Sequence, residues 1–357
     1  MSDPTPQPPR AMVGSTKEYP PSRPLLLARN ARVAGTAAGL PEEVVRNQDL
    51  IDEFGLIATD RAVEYAIGIR ERRRGRFEVP CAEYLERAGR ACLERAGVRP
   101  EQVDRVIYAR LFGDHAVPST ASVVLARLGL RPDIPAMDIS AACSGFVHAM
   151  GLALAFINAG DERVLILGGD RGAQDRATQV TKDTRTVFLN GDGFAAMLLE
   201  HSPEPNFKAS YYYTDSELSD FAYVPFGTEL LNGKQTFDRT MLALTMPDGR
   251  RIHQSVLDSC RIISGRLLEQ AGLGLDDVDF FITSDQTHLV WKDQLRLLGI
   301  PESKSVSCFP KYGNTVAAMA PLNLDEAIQT GALRRGMTVM MMAHGAGASG
   351  GGFIFTY

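Results

Sequence analysis

Apolar positions along this chain recur with two spacings, one typical of helices and one typical of buried strands. Cys81, Leu85, Ala88, Cys92 and Ala96 follow the helical spacing, so one face of that segment is predicted to be buried. The continuous apolar run at residues 163–167 is instead typical of a strand in a sheet covered on both faces. Segments of the two kinds alternate along the chain, which predicts an α/β fold.

The same pattern assigns most of the chain to an element. Strands are predicted at residues 24–35, 104–110, immediately before Cys143, and at 163–167, 194–200, 278–282, 305–309, 338–342 and 352–355. Helices are predicted at residues 41–54, 81–96, 121–128, 145–158, 251–272, from 289 onward, and at 323–330. Residues 207–234 carry aromatic clusters without a clear period and are left unassigned.

Composition and charge narrow the class of protein. The 357 residues are enough for two domains or two fused halves. The net charge of −5 lacks the basic field that a nucleic-acid partner requires. Residues 1–24 are rich in proline and contain no apolar run, so we expect a disordered tail and no signal peptide. We also expect no membrane span and no membrane partner.

The cysteines indicate a reducing compartment. They are scattered at positions 81, 92, 143, 260 and 308, without a Cys-x-x-Cys pair or a cysteine and histidine cluster. This spacing argues against a disulfide framework and against a structural zinc. We therefore expect a cytoplasmic protein that holds no metal and no cofactor.

One cysteine stands at a predicted junction of strand and helix. The run at residues 137–148 is an apolar strand that ends in small residues and Cys143, followed by an amphipathic helix. Backbone N–H groups and the positive end of a helix dipole lower a thiol pKa at such a junction. Cys143 is therefore a candidate thiolate nucleophile. The alternative is a small core residue, the commonest role of a free cysteine.

The segment around Cys143 is one of five short motifs. They are Gly68-Ile69-Arg70-Glu71-Arg72, Pro118-Ser119-Thr120, Ala141-Ala142-Cys143-Ser144-Gly145-Phe146, Gly191-Asp192-Gly193, and Tyr312-Gly313-Asn314-Thr315 with Pro321-Leu322-Asn323-Leu324-Asp325-Glu326-Ala327. In this order they resemble the motifs of the β-ketoacyl-acyl-carrier-protein synthase III family, condensing enzymes of the thiolase fold. The resemblance extends from about residue 27 to the end of the chain.

The resemblance implies a thiolase fold, five αβαβα layers built from two pseudo-symmetric halves, and a homodimer. A disordered proline-rich tail is expected at residues 1–26, an N-terminal half with the nucleophile at 27–204, and a C-terminal half at 205–357. The resemblance also implies an acyl thioester on the cysteine of a Cys-His-Asn triad, in which histidine and asparagine assist decarboxylation of a malonyl partner.

Two members of that triad are matched, and the third is not. Cys143 falls on the nucleophile and Asn314 on the asparagine. The family's Pro-His-Gln-Ala-Asn appears as Ser284-Asp285-Gln286-Thr287-His288, which puts Asp285 at the histidine's position. An ionised aspartate only accepts hydrogen bonds, so it cannot donate to a forming enolate. Near a thiolate it also raises both pKa values through repulsion.

A relocated base is one solution. His344 lies where the family usually has a phenylalanine in a glycine-rich loop beside the cysteine. With Asp285 as its orienting group, it would complete a triad of Cys143, His344 and Asp285. By the same resemblance the backbone amides of Cys143 and Ala346 form the oxyanion hole. The alternative is that His344 is a loop histidine held by backbone bonds and Asp285 a helix N-cap.

The remaining candidates concern substrate binding. His115 and Val117 lie in a loop that approaches the pocket entrance in this family, His288 is a second candidate base, and His148 is expected to be a packed core residue. Ala62, Ala66 and Val290 replace the aromatic and basic groups with which members that use coenzyme A hold their substrate. We therefore expect an acyl carrier protein as the donor, or coenzyme A bound differently. A docking patch for it is predicted at Arg70, Arg72, Arg73, Lys292 and Arg296.

Three functions remain open at this point. The first is an acyltransferase that loads Cys143 and passes the acyl group to a hydroxyl, amine or thiol without decarboxylation, in fatty-acid or polyketide-type metabolism. The second is a decarboxylative condensing enzyme, with Asn314 and either His344 or His288 replacing the missing donor. The third is a non-catalytic partner subunit, since fold alone does not fix function.

Overall fold

Two β-sheets, built from successive parts of the chain, form the framework of this computed structural model. It describes residues 25–171, 186–226, 236 and 239–357. The strands are β1 Asn30–Gly39, β2 Glu43–Arg46, β3 Glu71–Arg74, β4 Arg105–Ala109, β5 Ala136–Ile139, β6 Arg163–Asp170, β7 Gly193–Ser202, β8 Phe207–Thr214, β9 Phe280–Thr283, β10 Thr338–Gly345 and β11 Ser349–Thr356. The helices are α1 Asn47–Phe54, α2 Asp60–Ile67, α3 Cys81–Ala96, α4 Thr120–Leu128, α5 Gly145–Ala159, α6 Gly249–Ala271, α7 His288–Leu298, α8 Phe309–Tyr312 and α9 Met319–Gln329.

The two sheets mix parallel and antiparallel pairs. The first has the order β1-β7-β6-β4-β5, with β4 parallel to β5 and β6, and β7 antiparallel to β1 and β6. The second has the order β8-β11-β10-β9, with β10 parallel to β9 and β11 antiparallel to β10 and β8. All four residues of β9 and all but the first residue of β6 and β10 are buried, as expected for strands covered on both faces.

Helices cover both faces of both sheets, which gives five layers. The apolar side chains of α5 and α9 lie between the sheets, where Phe146 and Leu324 share one core with Ile166 of β6 and Met341 of β10. On the outer face of the first sheet, α3 and α4 pack against Leu165 and its neighbours. On the outer face of the second sheet, α6 and α7 pack against Met340 and Met342. The expected αβαβα layering is confirmed.

The central helix α5 corrects the expectation that no segment of the chain is long and apolar enough to span a membrane. Together with the turn before it, residues Ala142–Ala159 are long and apolar enough to cross a membrane, and half of this window is buried. The buried residues, among them Phe146, Met150 and Leu154, pack between the two sheets. Such a helix is apolar enough to pass a hydropathy test because one face is buried in the core, while the face with Leu152 and Ala155 is exposed and also apolar.

Two element predictions are wrong. The helix expected at residues 41–54 begins at Asn47, because Glu43–Arg46 pairs as β2 with β3. The strand expected at 305–309 is reduced to one bridge, between Ser305 and Phe281.

The predicted docking patch loses Arg72, whose fully buried guanidinium donates to Asn47 Oδ1 at 2.8 Å and to the Phe188 carbonyl at 3.0 Å. The tail predicted at residues 1–26 lies outside the described residues except for its last two positions.

Candidate active site

Cys143 lies in the turn that joins β5 to α5. It is the middle residue of a single 3-10 turn, Ala142–Ser144, and Ala142 has the left-handed φ of 47°. Such a φ is uncommon for a residue with a side chain, and strain of this kind is often stored at functional sites. The strained turn carries Cys143 to the wall of a cavity.

The thiol is not acidic in this environment. Burial raises the pKa of Cys143 to about 11, and the hydrogen bond from Asn314 and the backbone amide of Cys143 lower it only in part. The expectation of a thiol made acidic by the helix end is therefore wrong, because desolvation of the charged form outweighs the amide contacts. A base has to remove the proton when the sulfur attacks.

Asn314 is held from two sides so that its amide faces Cys143. Its backbone N–H donates to the Leu189 carbonyl at 2.8 Å, and its Oδ1 accepts from the Val316 N–H at 2.8 Å. With Oδ1 engaged in this way, the Nδ2 donor is left for the sulfur of Cys143. Val316 has a φ of 57°, an outlier for a β-branched residue, so both polar groups at the centre of this site adjoin strained backbone.

Two lobes of a cavity meet at Cys143 and Asn314. The first lobe has a volume of about 360 Å³ and is lined by Leu111, Phe112, Ala142, Asn190, Tyr223, Val224, Phe226 and Leu242. The second lobe has a volume of about 520 Å³ and is lined by Ala66, Ile67, Phe221, Met246, Ile252, Ser255, Val256, Gln286, Leu289, Val290 and His344. Both walls are mainly apolar, as is usual for sites that bind small organic groups.

The turn between β10 and β11 closes against Cys143. A Cβ at Gly345 would lie 2.8 Å from the Ser144 nitrogen and 3.0 Å from the Cys143 nitrogen, so only glycine fits there. Ala346, the next residue, lines both lobes together with Cys143. A hydrogen bond of 2.7 Å between Ser144 Oγ and Ser349 Oγ joins the two turns. The two residues predicted for the oxyanion hole therefore lie on one cavity wall.

His344 lies on the second lobe with both ring nitrogens engaged. Nδ1 is 2.9 Å from the Tyr213 hydroxyl, and Nε2 is 3.2 Å from Ser255 Oγ. Burial lowers the pKa of His344 to about 4, so the ring is neutral near pH 7. Because side chains alternate along a strand, His344 continues the face of Met340 and Met342, which packs against α6.

Asp285 does not orient His344. The carboxyl group is fully buried, lines neither lobe, and accepts a hydrogen bond from Asn323 Nδ2 at 3.1 Å. Burial raises the pKa of Asp285 to about 7, against the lowering effect of the Ser307 hydroxyl and the Asn323 amide. The hydrogen bond that the relocated triad requires is therefore not formed. The N-cap alternative is also wrong, because Thr287 caps α7 by accepting from the Val290 N–H at 3.1 Å.

Comparison with known proteins decides the family. A sequence model described as 3-oxoacyl-[acyl-carrier-protein] synthase III matches residues 137–216, and the model of its C-terminal part matches residues 268–357. The β-ketoacyl-[acyl-carrier-protein] synthase III of Methylococcus capsulatus (strain Bath) is 32% identical over 333 residues, which cover 93% of this chain and 100% of that protein. The chain belongs to the β-ketoacyl-[acyl-carrier-protein] synthase III family.

Solved structures give the same answer for the fold. The 3-oxoacyl-(acyl carrier protein) synthase III of Pseudomonas aeruginosa PAO1 superposes with a TM-score of 0.82 at 27% identity, over 92% of this chain and 98% of that chain. The priming β-ketosynthase of the R1128 polyketide pathway superposes with a TM-score of 0.83 at 26% identity, over 94% and 98% of the two chains. The expected thiolase fold is confirmed.

Within this synthase III chain, the predicted substrate-binding residues lie away from the cavity. His115 and Val117 line neither lobe, and Val117 is 86% exposed. His288 stacks on Trp291 with ring centroids 5.0 Å apart, and its Nδ1 is 3.3 Å from Ser307 Oγ. The positions of this loop and helix relative to the cavity depend on tertiary packing, which the motifs do not encode.

Other residues of the site were missed. Gln286 lines the second lobe and donates from Nε2 to the His344 carbonyl at 2.9 Å. Ser255 and Ser259 are buried on the face of α6 that also carries Val256 and Cys260. Two serines four residues apart on an otherwise apolar helix face were the signal available in the sequence, since buried hydroxyls need partners.

Proposed function

We propose that this synthase III homologue takes an acyl group from a thioester onto Cys143 and passes it to an acceptor nucleophile without decarboxylating a malonyl partner. The metabolism it serves is of fatty-acid or polyketide type. The relatives named above are synthases of these two kinds. The observation that carries the proposal is that Asp285, at the position of the family's histidine, lines neither lobe of the cavity beside Cys143.

Decarboxylation leaves an enolate, and preorganised hydrogen-bond donors must stabilise it. Asn314 donates to Cys143 and is one such group. The position of the family's histidine is occupied by Asp285, which is buried away from both lobes. One of the two N–H groups of Gln286 Nε2 donates to the His344 carbonyl. On the second lobe, both ring nitrogens of His344 are also engaged, Nδ1 with the Tyr213 hydroxyl and Nε2 with Ser255 Oγ. His344 therefore offers no further donor.

The loading step is a thioester exchange. The sulfur of Cys143 attacks the thioester carbonyl, the bond from that carbonyl to the carrier sulfur breaks, and the carrier thiolate leaves. The proton lost by Cys143 ends on the carrier thiol, so the exchange is neutral overall. The amides of Cys143 and Ala346 are the proposed donors to the oxyanion formed in this step. In the second step the acceptor displaces Cys143 from the acyl carbon.

We propose an acyl carrier protein as the donor. Ala66 and Val290 line the second lobe, so neither an aromatic face nor a cation is presented at these positions. At these two positions the adenine of coenzyme A therefore has no aromatic ring to stack on, and its phosphates have no cation to pair with. Coenzyme A held by other residues is the alternative, and the loading rates of the two donors distinguish them.

A decarboxylative condensation is the second candidate. It is favoured by the relatives, which are β-ketoacyl-[acyl-carrier-protein] synthases III, and by the amide of Asn314, which faces the sulfur. The test is to load the protein with an acyl group, add a malonyl thioester labelled at its free carboxyl, and measure labelled carbon dioxide. No release, with the acyl group discharged by a hydroxyl, amine or thiol, supports acyl transfer. Release that requires Cys143 and equals the acyl group consumed overturns it in favour of condensation. No loading from any donor leaves the partner-subunit function.

We also propose a homodimer that pairs through β5, in a cytoplasmic protein. β5 is an edge strand of the first sheet, and its four residues Ala136–Ile139 are each only half-buried. An edge with unpaired backbone groups is a template for another strand. Native mass spectrometry tests the pairing, and a monomer at micromolar concentration contradicts it.

A further inference from the structure

Four side chains form a hydrogen-bonded chain behind the second lobe. The Tyr213 hydroxyl donates to Ser259 Oγ at 2.8 Å and lies 2.9 Å from His344 Nδ1. Ser255 Oγ lies 3.2 Å from His344 Nε2. All four are at least partly buried, and Ser255 and His344 line the lobe that Cys143 also lines.

This network fixes the tautomer of His344. A tyrosine hydroxyl has one hydrogen, and that of Tyr213 is given to Ser259, so the oxygen accepts from Nδ1–H. In a neutral imidazole with Nδ1 protonated, Nε2 carries the lone pair. That lone pair accepts from the Ser255 hydroxyl. His344 therefore presents its basic nitrogen towards the serine on the cavity wall.

An orienting group on one nitrogen and a hydroxyl on the other is the arrangement that activates a hydroxyl for attack. We propose that His344, oriented by Tyr213, is the general base for an alcohol acceptor, whose hydroxyl takes the place of Ser255 Oγ on Nε2. The inference rests on the proposed acyl transfer and names its acceptor class. Tyr213 is a positioning residue in this account.

An alcohol fits the second lobe better than an amine does. The lobe is lined by Ile67, Met246, Ile252, Val256 and Leu289. In such surroundings an alkylammonium loses its hydration and gains no charged partner in exchange. Asp293, the carboxylate on this wall, is already paired with His253 at 3.2 Å and with Arg296. A neutral hydroxyl pays a smaller desolvation cost, and Nε2 compensates it.

The step balances in atoms and charge. The acceptor O–H proton moves to Nε2 as the oxygen attacks the thioester carbon, and the tetrahedral intermediate collapses with cleavage of the bond to Cys143 sulfur. The thiolate then takes the proton from Nε2–H. An alcohol and an acyl thioester become an ester and a thiol, and His344 returns to its neutral form.

The experiment separates loading from discharge. Wild-type protein is loaded with an acyl group at Cys143, and the loss of acyl mass is followed after adding a short-chain alcohol or hydroxylamine. Hydroxylamine cleaves thioesters without a protein base, so its reaction reports that the acyl-enzyme has formed. We expect His344→Ala to slow discharge by alcohol about 10²-fold, the lower end of the range for a lost general base, because its lowered pKa makes His344 a weak base. Tyr213→Phe should slow it in the same direction by a smaller factor. Discharge is compared on equal amounts of protein that is already acylated, and hydroxylamine should discharge both variants as fast as wild type.

Two further measurements keep the inference falsifiable if a variant is damaged. Imidazole in solution should restore alcohol discharge to His344→Ala, which a purely structural loss would not permit. Ser255→Ala should keep or increase the alcohol rate, with Ser264→Ala, a buried serine further along α6, as the matched control. Equal alcohol rates in His344→Ala and wild type overturn the inference, as does abolition of discharge in Ser255→Ala, which would make Ser255 itself the acceptor. Failure of wild type to load at all overturns the proposed function instead.

Discussion

The side-chain amide of Asn314 donates to the thiol of Cys143, while the carbonyl oxygen of the same amide accepts from the Val316 N–H at 2.8 Å. The second contact fixes which end of the amide faces the sulfur. A donor at that place favours the thiolate and opposes the effect of burial, which on balance raises the pKa of the Cys143 thiol to about 11. The reactivity of Cys143 should therefore depend on Asn314.

Replacement of Asn314 tests that dependence. In Asn314→Ala the charged form of the thiol loses its donor, so the pKa of Cys143 should rise further. The rate of alkylation by iodoacetamide, measured against pH, should shift to higher pH, because the thiolate is the reacting species. Asn158→Ala, at the far end of α5, is the control and should leave the profile in place. Coincident profiles for Asn314→Ala and wild type would contradict the assignment.

Gly345 tests the turn that closes on Cys143. A Cβ there would meet the nitrogens of Ser144 and Cys143 at 2.8 and 3.0 Å, and backbone atoms cannot yield as a flexible side chain does. Gly345→Ala should lower the free energy of unfolding by about 1–3 kcal/mol, as overpacking does. It should also slow acyl loading by up to about 10²-fold if the amide of Cys143 is displaced from the oxyanion. Gly265→Ala, where a Cβ meets nothing within 4 Å, is the control. Unchanged loading in Gly345→Ala would show that this amide does not serve the reaction.

Asp285 predicts a pH dependence of stability. Its pKa is about 7 in the folded protein against 3.8 for the ordinary group. Between these values the folded state holds a proton that the unfolded chain has lost, so stability falls as pH rises. The loss levels off above pH 7, at roughly 4 kcal/mol at most.

Asp285→Asn removes this titration. The difference in free energy of unfolding between variant and wild type should therefore increase in the variant's favour from pH 4 to pH 7, as measured by urea denaturation. Asp276→Asn, at an exposed position, is the control. Parallel stability curves for Asp285→Asn and wild type across that range would contradict the burial of an isolated carboxyl group.

Most of the layered fold was predictable because it is encoded locally. The strand at residues 163–167 and the helix after Cys143 follow from apolar runs and periodicity, and both are present as β6 and α5. Residues 43–46 were misassigned to a helix because their strand exists only through pairing with Arg72 and its neighbours. Such pairing between distant segments leaves no periodic trace in four residues.

The site was predictable in part. Cys143, Asn314, Ala346 and His344 line one cavity, and each was named from a motif. Strand alternation with Met340 and Met342 already predicts that the His344 side chain points towards α6. The burial of Asp285 was not available, because it depends on Asn323, 38 residues away, which occupies one oxygen of the carboxyl group. Polar contacts of this range are set by tertiary packing.

The central claim is that Cys143 carries an acyl group and releases it to an acceptor other than malonyl. The most direct measurement is the intact mass of wild type and Cys143→Ala after incubation with acyl carrier protein thioesters, followed by an alcohol or a malonyl thioester. The account predicts an added acyl mass in wild type that is absent from Cys143→Ala, that the alcohol removes and that the malonyl thioester leaves in place. An equal acyl mass in Cys143→Ala, or its removal by the malonyl thioester with release of carbon dioxide, would contradict it.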